Sequence, residues 1–134
     1  MNTLNIQTTM TSTVDNVRTV VSSNQNTPCS SSNFTAGSKT LGSAGWVLIN
    51  DFSTLTDVAG FTILNDDDTQ YSASVITIAT GSSGGNVIAV LIPGAAATIP
   101  WSGSHNGIYG KVTGGYAGVA TPASGSVQYL AQQS

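Results

Sequence analysis

The sequence predicts an all-β domain, a compact antiparallel sandwich, jelly roll or small barrel with an extended N-terminal arm. Three observations carry that prediction. Charged helix formers are almost absent: 134 residues hold three Lys and Arg and six acids, every one of them Asp. Gly, Ser, Thr, Val and Ile dominate instead, a mixture that disfavours helix interiors and suits strands joined by turns. After Gly42, short apolar stretches recur about every ten residues with turn formers between them, the cadence of a sandwich or barrel.

Taken in order, Leu4, Ile6, Thr8 and Met10 alternate like a strand with one face that wants burial. Val14, Val17 and Val21 follow at a helix-like spacing, but the β-branched content of Thr13–Val21 suits an extended segment equally. Ser22 to Ser32 is Ser, Asn, Gln and Thr with one Pro, and reads as a loop or linker. Residues 1–40 are therefore expected to form an arm, and residues 41–134 the folded domain.

Within that domain the expected strands are Trp46–Asn50, Gly60–Leu64, Tyr71–Ala79, Asn86–Ile92, Ala97–Trp101, Ile108–Val112, Tyr116–Ala120 and Val127–Leu130. Asn65-Asp66-Asp67-Asp68, Gly81–Gly85, Pro93-Gly94, Gly103–Gly107, Gly114-Gly115 and Pro122–Gly125 supply the turns. Val87 to Ile92 is apolar on both faces, so it is expected to be central or covered on both sides. Tyr71–Ile78 becomes similarly rich in its second half. A small domain that buries strands on both faces needs surface from another subunit, so a homo-oligomer is expected.

Composition excludes several functions. Only 7% of residues are charged, against about 25% in typical domains. The net charge of −3 cannot neutralise a run of phosphates, so no nucleic-acid partner is expected. The single cysteine, Cys29, rules out an intrachain disulfide and has no neighbouring cation to make it reactive. The N-terminus lacks the basic and apolar regions of a signal peptide. The longest apolar run, Val87–Pro93, is far short of the ~20 residues of a membrane helix. A soluble protein made without export is expected, and the glycosylation pattern Asn33-Phe34-Thr35 is then a chance match.

Candidate chemistry is sparse. Gly81-Ser82-Ser83-Gly84-Gly85 matches the nucleophile elbow of serine hydrolases, but a strand follows it and no acid occurs after Asp68. The only histidine, His105, lies in a Gly/Ser/Asn turn. Asp66-Asp67-Asp68 lacks the alternate ligand spacing, Gly and terminal Glu of a calcium loop and reads as a solvated hairpin tip. Neither that cluster nor Asp51 and Asp57 singles out a glycosidase pair. No catalytic residue, cofactor or metal is expected. Trp46, Tyr71, Trp101, Tyr109, Tyr116 and Tyr129 mostly fall in strands, where packing explains them.

The C-terminal stretch Val90-Leu91-Ile92-Pro93-Gly94 … Thr98-Ile99-Pro100-Trp101 … Asn106-Gly107-Ile108-Tyr109-Gly110-Lys111-Val112 … Ser126-Val127-Gln128-Tyr129-Leu130 resembles the end of small virion proteins of tailed bacteriophages. The resemblance implies a mostly β-structured capsid decoration, or cement, protein, made in the host cytoplasm and placed on the capsid surface. It further implies a trimer that bridges subunits of the major capsid protein, some such proteins using extended arms to do so. On that reading Leu4, Ile6, Met10 and Val14 are the arm's anchors. The alternative is a head-fibre or tail-associated receptor or glycan-binding module using Trp101, Tyr109 and Tyr116.

Overall fold

The computed structural model describes residues 2–29, 33–52, 55, 58–67, 73–99 and 107–133. Among the described residues ten strands run in chain order: β1 (Asn2–Val14), β2 (Val17–Cys29), β3 (Phe34–Gly42), β4 (Val47–Asn50), β5 (Val58–Asn65), β6 (Ser74–Thr80), β7 (Asn86–Leu91), β8 (Ala96–Ile99), β9 (Ile108–Gly115) and β10 (Ser124–Gln133). Among the described residues β1 and β2 pair only with each other, as an antiparallel hairpin. The remaining strands form two antiparallel sheets in the orders β3-β10-β5-β8 and β4-β9-β6-β7, packed as a sandwich, with no closed barrel among the described residues.

Period-two alternation decides which side chains meet between the sheets. Phe61 and Ile63 of β5, Val127 and Ala131 of β10, and Leu41 of β3 enter from the β5 sheet. Ile76 and Ile78 of β6, Ile108 and Val112 of β9, and Leu91 of β7 meet them from the β6 sheet. Each large side chain removed from water contributes roughly 1.5–3 kcal/mol. Gly110, between Ile108 and Val112, keeps this layer thin, since a Cβ there would stand 2.6 Å from Leu41 Cδ1 and 3.0 Å from Ile49 Cδ1.

One end of the core is closed by a turn rather than a strand. Asn50 Oδ1 accepts from the Phe52 amide at 2.7 Å, and Phe52 takes the left-handed conformation with φ 56°. That turn drives its ring inward, edge-on to Phe61 with centroids 5.4 Å apart, a favoured aromatic geometry.

The sheets are also joined by a polar link. Asn65, at the end of β5, is fully buried. Its Nδ2 donates to the carbonyl oxygens of Ser74 at 3.0 Å and Leu91 at 3.1 Å, both in the opposite sheet. Its Oδ1 accepts from the Asp67 amide at 3.1 Å. Its own backbone bonds to the β7–β8 turn, from N to Ala95 O and from Gly94 N to its carbonyl, each at 2.9 Å. Every polar atom of this residue has a partner, which is what makes its burial tolerable.

Several expectations are corrected. Ser22 to Cys29 is strand, where the polar composition predicted a loop; it is held by main-chain pairing with β1, which needs no apolar side chains. The sandwich begins at Phe34, because β3 pairs with β10 across the expected arm boundary at residue 40. Tyr116–Ala120 is not a strand: Tyr116–Gly118 is a 3₁₀ turn with Ala117 at φ 55° and Gly118 at φ 81°. The chain folds back there so closely that a Cβ on Gly115 would lie 1.9 Å from Val119 O. Finally, Val87–Ile92 is not central, because among the described residues β7 is an edge strand, and not covered on both sides, because Val87, Val90 and Ile92 are exposed.

Candidate assembly surfaces

The hairpin is the first candidate surface. Val14 pairs with Val17 across a two-residue connection, and Asp15 and Asn16 both take positive φ, 51° and 65°. That is the mirror-image turn whose twist matches paired strands, and Asp and Asn tolerate it better than most residues. Each strand has 13 residues, so the ribbon is roughly 40 Å long. Leu4, Ile6, Met10 and Val14 hold alternate positions of β1, opposite Thr27, Gln25, Val21 and Val17. Asn5, Gln7, Asn24 and Asn26 between them are polar and exposed, as is the apolar Val20. Asn5 Nδ2 donates to Asn24 Oδ1 across the strands at 3.0 Å.

A groove of about 380 Å³ is lined by Asn5 and Gln7 of the ribbon and by Thr62, Leu64, Thr98 and Leu130 on the outer face of the β5 sheet. Thr62 and Thr98 share a hydroxyl–hydroxyl hydrogen bond of 3.2 Å on that face. Amides, hydroxyls and aliphatic side chains line it, so it can take neutral hydrogen-bonding groups and apolar edges but offers no charge.

The outer face of the β6 sheet is the second candidate. One row crosses all four strands, because Leu48 pairs with Tyr109, Tyr109 with Ala79 and Ala79 with Val87. The next row runs from Lys111 through Thr77 to Val90. In β7, Ala89 lies opposite Ile78 but Val87 lies opposite Ala79, so Ile88 is an extra residue in the strand. Such a bulge shifts the alternation by one. Val87, Val90 and Ile92 therefore all point outward, with 55%, 58% and 44% of their surfaces exposed, while Leu91 is buried. The apolar run was legible in the sequence; the bulge that sends three of its members to one outer face was not.

Other singled-out residues are placed differently. Tyr109 begins β9 and is half-buried, whereas Tyr116 follows its end. About 20 Å of strand rise separates them, so they do not form one stacking platform. Trp101, Tyr71, His105, Asp57 and Asp68 lie outside the described residues, as do the side chains of Cys29 and the four expected anchors. Trp46 packs beneath the β6–β7 connection: a Cβ on Gly84 would fall 2.2 Å from its ring. Ser83 is exposed in that same connection, which joins strand to strand rather than strand to helix. Tyr129 covers Gly37, its partner across the β3–β10 pair.

The acidic cluster departs from a solvated tip. Asp66 is exposed and accepts from Gln128 Nε2 at 3.2 Å. Asp67 is half-buried; its Oδ2 accepts from the Ser74 hydroxyl and its Oδ1 from the Ser126 amide at 3.2 Å. It thus links β6 to β10 beside the Asn65 contacts. The close approach of Gly125 makes room, since a Cβ there would stand 2.7 Å from Ser74 Oγ. Among the described residues no group of three or more His, Cys, Asp or Glu is placed to hold a metal ion, and no helix is long and apolar enough to cross a membrane.

No protein-family model matches the chain, and no curated protein or solved structure matches it.

Proposed function

We propose that this chain is a structural virion protein, a capsid decoration subunit that stabilises a phage head by bridging copies of the major capsid protein at the capsid surface. The observation that carries the reading is the β1–β2 ribbon. Two strands of 13 residues pair with each other and with no third strand among the described residues. An isolated two-stranded hairpin is marginal in water, so a ribbon of this length gains most by lying along a neighbouring surface.

The low charge of the chain supports the same reading. Contacts made by Asn, Gln, Ser and Thr and by main-chain pairing suit a repeated lattice, where many modest contacts act together. Leu4, Ile6, Met10 and Val14 are the proposed anchors. The working assembly is a homo-oligomer, without catalytic activity or cofactor.

Co-sedimentation with capsids lacking their decoration protein tests this. Full-length protein should saturate the particles, and Ile6→Asp with Met10→Asp should abolish binding while leaving the sandwich folded. Equal binding by the double variant would refute the role given to the ribbon. The neutral groove beside Asn5 and Gln7 favours a second reading, a glycan-binding head-fibre module. Saturable quenching of tryptophan fluorescence by host polysaccharide at micromolar sugar, without capsid binding, would select it.

A further inference from the structure

We propose that the free edge of β7 is a self-association site, where two copies of this chain pair their β7 strands antiparallel across a two-fold axis and join their β6 sheets into one. Among the described residues β7 pairs only with β6. Strand edges that stay open in solution are usually blunted by charge, by proline or by shortness. The other three edges of the sandwich show such devices: β3 carries Lys39, and β4 and β8 have four residues each. Asn86–Ile92 contains no charged residue and no proline.

Neutrality is also what points to a second copy as the occupant. Across a two-fold axis each residue near the axis meets its own equivalent, so any charge there faces its like. The charge in register with this edge is Lys111, which lies two strands away on β9, in the row that reaches Val90 through Thr77. Pairing the edges sets Val87 and Val90 of one copy beside those of the other, and β-branched pairs directly across neighbouring strands are favourable. The open N–H and C=O groups of β7 find partners in the same step.

The contact is independent of the virion reading, and its test uses the isolated full-length protein. Native mass spectrometry and sedimentation across a concentration series should show an even number of subunits. Val90→Lys should halve the mass while the circular dichroism spectrum is unchanged. Val119→Lys, at a valine equally exposed (52%) outside the strands, should leave the mass as it is. Amide exchange at residues 87–91 should slow as concentration rises. A monomer at every concentration, an odd-numbered assembly untouched by Val90→Lys, or β7 exchange independent of concentration would each overturn the proposal. Capsid binding can succeed or fail without affecting any of these readouts.

Discussion

The side-chain amide of Asn65, buried in one sheet, donates to the carbonyl oxygen of Leu91 in the other at 3.1 Å. The same nitrogen reaches Ser74 O at 3.0 Å, so one side chain ties β5 to both β6 and β7. Removing it leaves two buried carbonyl oxygens and the half-buried Asp67 amide without this partner. Asn65→Ala should therefore cost about 2–3 kcal/mol, seen as a lower midpoint in urea unfolding with an unchanged slope.

Asn65→Asp puts a carboxyl where two carbonyl oxygens expect a donor. Burial and those oxygens favour its protonated form, which can still donate one hydrogen bond, so its pKa is raised in the folded state. A raised folded pKa gives stability at low pH that is lost as pH rises. The variant should be more stable at pH 4 than at pH 7 relative to the parent, and urea midpoints at the two values check the sign.

Asp67 and Asp66 should part company despite being neighbours. Asp67 bonds to Ser74 and to the Ser126 amide, whereas Asp66 takes one exposed contact from Gln128. Asp67→Ala should cost about 1–3 kcal/mol and Asp66→Ala within about 0.5 kcal/mol. Equal losses in thermal unfolding would show that the half-buried link is worth no more than the exposed one.

Two adjacent glycines should separate just as sharply. A Cβ on Gly115 meets the Val119 carbonyl oxygen at 1.9 Å, whereas one on Gly114 meets only Val75 Cβ at 3.8 Å. Backbone cannot yield as a side chain can, so Gly115→Ala should cost about 3 kcal/mol. Gly114→Ala should be tolerated. Unfolding midpoints of the two variants compare them directly.

If the chain binds a capsid through neutral surfaces, raising the salt from 50 to 500 mM should change its affinity little. Screening weakens contacts between exposed charges, and this chain brings only nine. A tenfold or greater loss of binding in the co-sedimentation assay would place the charged residues, rather than the ribbon's uncharged positions, at the contact.

The sandwich was legible where apolar density is local. Ile76 and Ile78, or Ile108 and Val112, announce strands by their own neighbours. β3 was not legible, because Gly37 and Lys39 interrupt its pattern and only Leu41 is a large core residue. Its missing apolar surface over Gly37 comes from Tyr129 on the C-terminal strand. β2 was hidden for a related reason, since its pairing lies in the main chain and its side chains from Ser22 to Thr27 are polar. The Asp15-Asn16 pair was the signal that could have revealed the hairpin. Asn65 and Asp67 looked like turn residues because their partners, Ser74, Leu91 and Ser126, come from three other strands.

The position of β10 sets a timetable for synthesis. It lies between β3 and β5, so the sheet has a gap in its middle until residues 124–133 leave the ribosome. Until then β3 has nothing to pair with and the nascent chain holds one sheet without its lid. Pairings between segments so distant in the chain form slowly, so the sandwich is completed only after translation has passed Gln133, and a product cut short before Ser124 lacks the strand that joins β3 to β5.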